Sequence, residues 1–142
     1  MLNQFLTHAN WLAIVVAAIA YFALGALWFS ALFRKQWMAL NNIPEPTPEK
    51  QEQMKSMMMP LFVKTFLMGA VVALVLAFLV NALSIRHCVP GIKLGLLLSA
   101  VGCIPLVMAD MYLMKPTKLW FIDAGYHIVG ITLMSIIISV WH

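Results

Sequence analysis

Four long apolar runs dominate the sequence and limit what the chain can fold into. They lie at approximately residues 11–33, 61–83, 92–113 and 120–141. Each run is long enough to cross about 30 Å of hydrocarbon as a helix that rises about 1.5 Å per residue. The sequence therefore predicts an all-α membrane protein with one domain, residues 1–142. That domain is an antiparallel bundle of four transmembrane helices with short loops and one Pro-rich cytoplasmic loop.

Composition agrees with this class. The chain has 63% hydrophobic and 10% charged residues, whereas soluble domains carry about 25% charged residues. The first run lacks a basic leading segment and exceeds the hydrophobic region of about 7 to 15 residues in a secretory signal, so it is interpreted as a span. The nine Lys and Arg residues flank apolar runs and form no basic face, so the expected partner is the lipid bilayer and no nucleic acid is expected.

The distribution of basic residues predicts the orientation. One side of the predicted bundle holds Arg34, Lys35, Lys50, Lys55, Lys64, Lys115 and Lys118, whereas the other holds Arg86 and Lys93. Because Lys and Arg concentrate in cytoplasmic loops, the first and third loops are predicted to be cytoplasmic and both termini to lie outside the cytoplasm.

The first loop contains Pro44, Pro46 and Pro48, which favour an extended connection. Good helix formers follow over Gln51–Met59, either as a short interfacial helix or as an early extension of the second span. Four methionines in this segment (Met54, Met57, Met58 and Met59) would suit copper(I), but methionine also suits a flexible apolar surface and no Cys or His lies nearby in sequence. No metal site and no cofactor are predicted.

Small and aromatic residues predict where helices pack. In the second span, Thr65, Gly69, Ala73, Ala77 and Asn81 recur every four residues, a spacing that lets another helix approach closely. The predicted helix-packing residues are Gly25, Trp28, Gly69, Ala73, Ala77, Gly91 and Gly95. Because four short helices enclose little interior, these faces also predict a homo-oligomer. Cys88, in the outer loop, is either an ordinary small residue, a free thiol or half of an intermolecular disulfide.

Asp123 and His127 are ionisable residues inside an otherwise apolar run, and their spacing places them on one face of a helix. A charge in the middle of a span costs about 2.5–3.5 kcal/mol on insertion scales, so both should face protein or water. Under the predicted topology Lys64 begins the second span and Asp110 ends the third. The candidate polar site is therefore Lys64, Asp110, Asp123, His127 and Tyr126, with Tyr21, Trp28 and Tyr112 as neighbours.

Two interpretations of this cluster stay open. In the functional one, Lys64 neutralises one aspartate and His127 exchanges a proton with the other. In the structural one, Asp110 and Asp123 only orient the helices through bonds to a Lys or Tyr near the interface. No nucleophile elbow, HExxH zinc motif, phosphate loop or CxxC pair is present, so no catalytic residue and no enzyme activity are predicted.

Two segments resemble a known family. GALWFSALFRKQW, from Gly25 to Trp37, and FIDAGYHIVGITLM, from Phe121 to Met134, are similar to the first signature and the last span of the small bacterial membrane proteins catalogued as domain of unknown function 1761. The matching positions are Gly25, Trp28, Phe33, Trp37, Asp123, Gly125 and Tyr126. The resemblance implies a multi-pass protein of the bacterial cell membrane, which is the inner membrane in a Gram-negative bacterium, and implies no activity.

The leading expectation is a membrane protein that binds or moves a small solute or ion as a homo-oligomer. The alternative is a non-catalytic scaffold or accessory subunit that packs against other membrane proteins. A third, weaker option is a membrane enzyme that acts on a lipid.

Overall fold

The computed structural model describes Phe5 and Thr7–Trp141, and this part of the chain is helical without β-strands. Its helices are α1 (Trp11–Leu27), which continues as a π-helical segment (Trp28–Leu32), α2 (Arg34–Leu40), α3 (Pro48–Ala82), α4 (Cys88–Tyr112) and α5 (Thr117–Val140). Four helical stretches in the described chain are long and apolar enough to cross a membrane: Trp11–Leu32, Pro48–Ala82, Cys88–Tyr112 and Thr117–Val140. The predicted all-α fold with four spans is confirmed.

The second span starts earlier than its apolar run. Helix α3 begins at Pro48 and has 35 residues, which makes it about 52 Å long, well beyond the thickness of a hydrocarbon core. Pro48 is tolerated there because the first residues of a helix have no intrahelical acceptor for their N–H groups. The segment Gln51–Met59 is therefore an extension of this span, and the connection that precedes it is Asn41–Thr47.

The other three spans pack around α5. Helices α1, α3 and α5 contact one another, whereas α4 makes its main contacts along α5. The buried residues of α4 accordingly form one narrow face, Gly91, Gly95, Ser99, Cys103 and Asp110. Helix α5 is thus the element on which the other spans are positioned.

Two short features end the first span. In the π-helical segment the Phe33 amide donates to the Trp28 carbonyl at 2.9 Å, and the Ser30 hydroxyl donates to the Ala26 carbonyl. Helix α2 then follows with Arg34 and Lys35 in its first turn. Such π-turns occur mostly as single interruptions of α-helices and often at functional sites. The sequence-based interpretation of this stretch as the plain end of a span missed both the π-turn and α2.

The small residues that predicted helix packing contact other helices of the same chain. On α3, Gly69, Ala73 and Ala77 are buried, and a Cβ atom on Gly69 would lie 3.1 Å from the Tyr21 ring. On α4, a Cβ atom on Gly95 would lie 2.6 Å from the Thr132 Cα atom. Because these surfaces are covered within one chain, they lend no support to the expected homo-oligomer.

The two cysteines are free thiols in different surroundings. Cys88 is exposed at the start of α4, whereas Cys103 is buried. The Cys103 thiol donates to the Ala124 carbonyl at 3.6 Å, across the contact between α4 and α5. Cys88 is consequently the thiol that reagents can reach.

Candidate polar site

The two segments that carried the family resemblance pack against each other. The Trp28 indole donates to the Ile122 carbonyl at 3.0 Å, and the Trp37 indole donates to the Asp123 carboxylate at 3.2 Å. These bonds join the π-turn and α2 to the first turns of α5. The site is therefore built from segments about 90 residues apart in sequence, at the end of the bundle that holds Arg34, Lys35, Lys115 and Lys118, named the basic end below.

Glycines let the aromatic rings of this site approach the helix backbones. A Cβ atom on Gly25 would lie 2.9 Å from the Tyr126 hydroxyl oxygen, and one on Gly125 would lie 3.2 Å from the Trp28 ring. A Cβ atom on Gly130 would collide with the Tyr21 ring. Each of these glycines leaves room for one ring.

Tyr21 and His127 form the hydrogen bond at the centre of the site. The Tyr21 hydroxyl oxygen and His127 Nδ1 are 2.7 Å apart, and the His127 tautomer decides which of the two donates. The Tyr126 ring stacks on the Tyr21 ring with centroids 5.0 Å apart, and the Tyr126 hydroxyl donates to the Tyr21 carbonyl at 3.4 Å. Tyr21 lies near the middle of the first span, so this bond is far from both ends of the bundle.

Asp123 lies one helical turn before His127, nearer the basic end, and is half-buried. One of its oxygens accepts the bond from Trp37. The arrangement places ionisable groups in succession from the basic end towards the middle of the bundle.

Asp110 pairs with Lys115, not with Lys64. The Lys115 ammonium lies 2.8 Å from Asp110 Oδ1, and the Asp110 side chain is almost fully buried. Its other oxygen, Oδ2, has no hydrogen-bond partner among the described residues.

A local turn makes this ion pair. Met114 adopts a positive φ of 54°, the Met114 amide donates to the Met111 carbonyl and the Lys115 amide donates to the Asp110 carbonyl, both at 3.0 Å. These bonds form the Schellman motif that ends many helices. The chain therefore folds Lys115 back over the last turn of α4, where it meets Asp110.

The structure divides the predicted cluster. Asp123, Tyr126 and His127 come together with Tyr21, Trp28 and Trp37, whereas Asp110 forms a separate pair with Lys115. Lys64 is exposed on α3, and Tyr112 is 85% exposed. Sequence reasoning missed the roles of Trp37 and Lys115, and Lys115 was recognisable because it follows Asp110 by five residues across a helix end.

Two cavities of the described chain have no residue of this site in their lining. One, of about 40 Å³, is near the chain termini and is lined in part by Asn10, Asn81, Arg86 and Trp141. The other, of about 200 Å³, is at the basic end and is lined by Arg34, Lys35, Met38, Glu45, Pro46 and Gln51. The polar groups of the site bond mainly to one another, which suits transfer of a very small species better than binding of a large solute.

Comparison with protein families gives a match that covers most of the chain. The family described as "Protein of unknown function (DUF1761)" matches residues 12–139, a stretch that contains both contacting segments. No curated protein and no solved structure matches the chain. Since the match extends over nearly the whole sequence, the chain belongs to the DUF1761 family.

Proposed function

We propose that this protein binds or moves a small ion across a membrane, and that the ion is a proton carried by Asp123, His127 and Tyr21. The observation that carries the proposal is the 2.7 Å hydrogen bond between Tyr21 and His127 near the middle of the spans. Ionisable residues are rare inside spans and commonly mark ion pathways or proton relays. Imidazole is suited to this task because it both accepts and donates protons near neutral pH.

Asp123 supplies the entry to this relay. It lies one turn nearer the basic end than His127, a separation of about 6 Å along the helix axis. If the basic end faces the cytoplasm, as the distribution of Lys and Arg indicates, a proton enters at Asp123 and is taken up by the His127 ring, whose Nδ1 is hydrogen-bonded to the Tyr21 hydroxyl. Trp37 holds the carboxylate through its indole N–H, and the nearby Lys115–Asp110 pair contributes charge at the same end.

Proton flux in liposomes tests the proposal. Purified protein is reconstituted with a pH-sensitive dye trapped inside, and the internal pH is followed after an external pH jump. We expect wild-type protein to dissipate the gradient several times faster than protein-free liposomes. His127→Gln, Asp123→Asn and Tyr21→Phe should each return the rate to the protein-free level, because each removes one group of the relay. Equal rates in wild-type and protein-free liposomes would refute the proposal.

A matched variant separates the relay from a general effect of histidine loss. His87 precedes α4 at the opposite end of the bundle and is exposed, so His87→Gln should leave the flux unchanged. The same liposomes loaded with sodium or potassium and its fluorescent indicator distinguish a proton from another small cation. A wild-type flux of sodium or potassium that depends on Asp123 but not on His127 would show that the protein moves that cation instead of a proton.

A second candidate is a scaffold or accessory subunit without transport activity. It is favoured by the pairing of the polar groups, since Asp123 is bonded to Trp37 and His127 to Tyr21, and satisfied buried networks often serve to fix one packing arrangement. In that case Tyr21→Phe lowers the unfolding temperature while wild-type liposomes conduct no protons. The flux and unfolding experiments on the same variant thus distinguish the two candidates.

A further inference from the structure

The position of Lys64 sets it apart from every other charged residue of the chain. Lys64 lies in the middle of α3, 16 residues after its first residue, Pro48, and 18 before its last, Ala82. The residues two before and two after it, Phe62 and Phe66, place their rings 6.0 Å and 5.9 Å from the Phe22 ring. Phe22 is midway along the span Trp11–Leu32, so Lys64 lies at the depth of the middle of the first span.

Lys64 points away from the rest of the bundle. Successive residues of a helix are about 100° apart around its axis. Lys64, two residues from both Phe62 and Phe66, therefore lies on nearly the opposite side of α3 from these two rings, which face α1. Lys64 itself is exposed. Around it on the same side of α3 are exposed apolar side chains, Leu61, Leu67, Met68 and Val71. We name these four residues and Lys64 the Lys64 face.

None of the five acidic side chains, all of which are within the described residues, is available to Lys64. Of the five acidic residues, Asp110 is paired with Lys115 and Asp123 is bonded to Trp37. Glu45, Glu49 and Glu52 are at or before the first turns of α3, at least 12 residues from Lys64 and thus about 18 Å away along the helix. A second copy of the chain has the same carboxylates in the same places, so it does not offer a free one at this depth.

An ammonium group that faces hydrocarbon is costly, and charged side chains inside membranes usually pair with an opposite charge or face water. We propose that the Lys64 face binds a transmembrane helix of another membrane protein, and that this helix carries one Asp or Glu at the depth of Lys64. The four apolar residues around Lys64 pack against the apolar side chains of that helix, and the carboxylate neutralises the ammonium. This interface is independent of any proton movement through Asp123 and His127.

Synthetic transmembrane peptides test this interface directly. The probe is a Leu/Ala helix of about 22 residues with a single central Asp and an acceptor dye, and matched peptides carry Asn or Leu at the same position. The protein carries the donor dye on Cys88, which is exposed while Cys103 is buried. Energy transfer is measured in liposomes as the peptide is diluted in lipid.

We expect the Asp peptide to bind wild-type protein and the Leu peptide to bind about tenfold more weakly or not at all. Lys64→Leu should lose the preference for Asp, and Lys64→Glu should instead prefer a peptide with a central Lys. Lys55→Leu is the matched control, because Lys55 is on the same helix nine residues nearer its start, and it should bind like wild type. Unfolding temperatures of all variants verify that each is folded.

Three results would overturn the proposal. Equal binding of the Asp and Leu peptides to wild-type protein would indicate that the Lys64 ammonium reaches the headgroups along its own flexible stem. Binding that is unchanged in Lys64→Leu would locate the peptide elsewhere. Energy transfer between two labelled copies without peptide, if abolished by Lys64→Leu, would assign the face to self-association.

Discussion

Helix α5 packs against α1 and α4 by two different means. Towards α1 it presents positions that accept large rings, and three aromatic residues of the first span and α2, Tyr21, Trp28 and Trp37, each hydrogen-bond to it. Towards α4 it meets small residues, with Gly91 and Gly95 opposite Ser139, Ser135 and Thr132. The α1 side is held by large rings and the hydrogen bonds they make, whereas the α4 side is held by the close approach of two backbones, with small side chains such as Ser135 bonding across it.

The difference matters because the two sides tolerate change differently. A ring that is pushed can rotate or shift within its surroundings, but two backbones in contact separate only if whole helices move. Without a hydrophobic driving force between helices in lipid, such close packing supplies much of the association energy. The α4 side should therefore be the more sensitive to one added methyl group.

Gly95→Ala should have the largest effect. The new Cβ atom would lie 2.6 Å from the Thr132 Cα atom, so α4 must move away from α5, at a cost of about 2–3 kcal/mol in the free energy of unfolding. Gly102→Ala is the control on the same helix, because its Cβ atom would meet nothing within 4 Å and alanine favours the helix by about 0.5–1 kcal/mol. Unfolding in mixed detergent measures both, and equal stability of the two variants would contradict the close-packing account.

Gly130→Ala should come next and tests the α1 side. Its Cβ atom would collide with the Tyr21 ring, whose displacement strains the hydrogen bond to His127. Because a side chain moves here instead of a backbone, we expect the free energy of unfolding to fall by about 1–2 kcal/mol. In the background of Tyr21→Leu the same substitution should cost much less, since the obstructing ring is gone. Additive effects of the two substitutions would show that the ring is not the obstacle.

Trp37→Phe should lower the free energy of unfolding by about 1 kcal/mol. It keeps the aromatic contact with Phe29 but removes the indole N–H that bonds to Asp123, and a half-buried carboxylate without its donor is less favourable. Trp11→Phe is the comparison, since Trp11 is 48% exposed. Thermal unfolding in one detergent ranks the two variants, and a larger loss for Trp11→Phe would rule out the Asp123 bond as the cause.

Ser135→Ala should have the smallest effect, about 0.5–1 kcal/mol. The Ser135 hydroxyl donates across the α4 side to the Gly91 carbonyl at 2.7 Å, whereas the Ser139 hydroxyl donates to the Ile136 carbonyl of its own helix at 3.0 Å. Ser139→Ala should therefore change stability less than Ser135→Ala. The reverse order in the same unfolding assay would place the interhelical contribution at Ser139 instead.

Features that depend on a short stretch of chain could be predicted from the sequence. Each span follows from a run of apolar residues, and the family from two motifs of about 13 residues each. The early start of α3 was harder, because Gln51–Met59 mixes polar residues with methionines and hydropathy alone begins the span after Pro60. Helix propensity, which favours these residues, was the better guide to the start of this helix.

The partners in the polar site could not be predicted in the same way. Tyr21 and His127 are 106 residues apart, and Trp37 and Asp123 are 86 apart, so their contacts exist only once the first span docks on α5. Spacing identified Asp123 and His127 as sharing one face of a helix, but it carries no information on what that face meets. Lys64 illustrates the same limit, because its distance from Asp110 depends on how α3 and α4 are placed around α5.

The ion pair at the end of α4 bears on how the chain enters the bilayer during synthesis. Asp110 and Lys115 are five residues apart and are joined by a turn that forms from neighbouring residues alone. The pair is therefore complete as soon as α4 and the turn after it have folded, and it requires no contact with α1 or α3. A carboxylate that is already paired with an ammonium group is easier to insert into a membrane than an unpaired one. The hairpin of α4 and α5 can therefore insert as one unit.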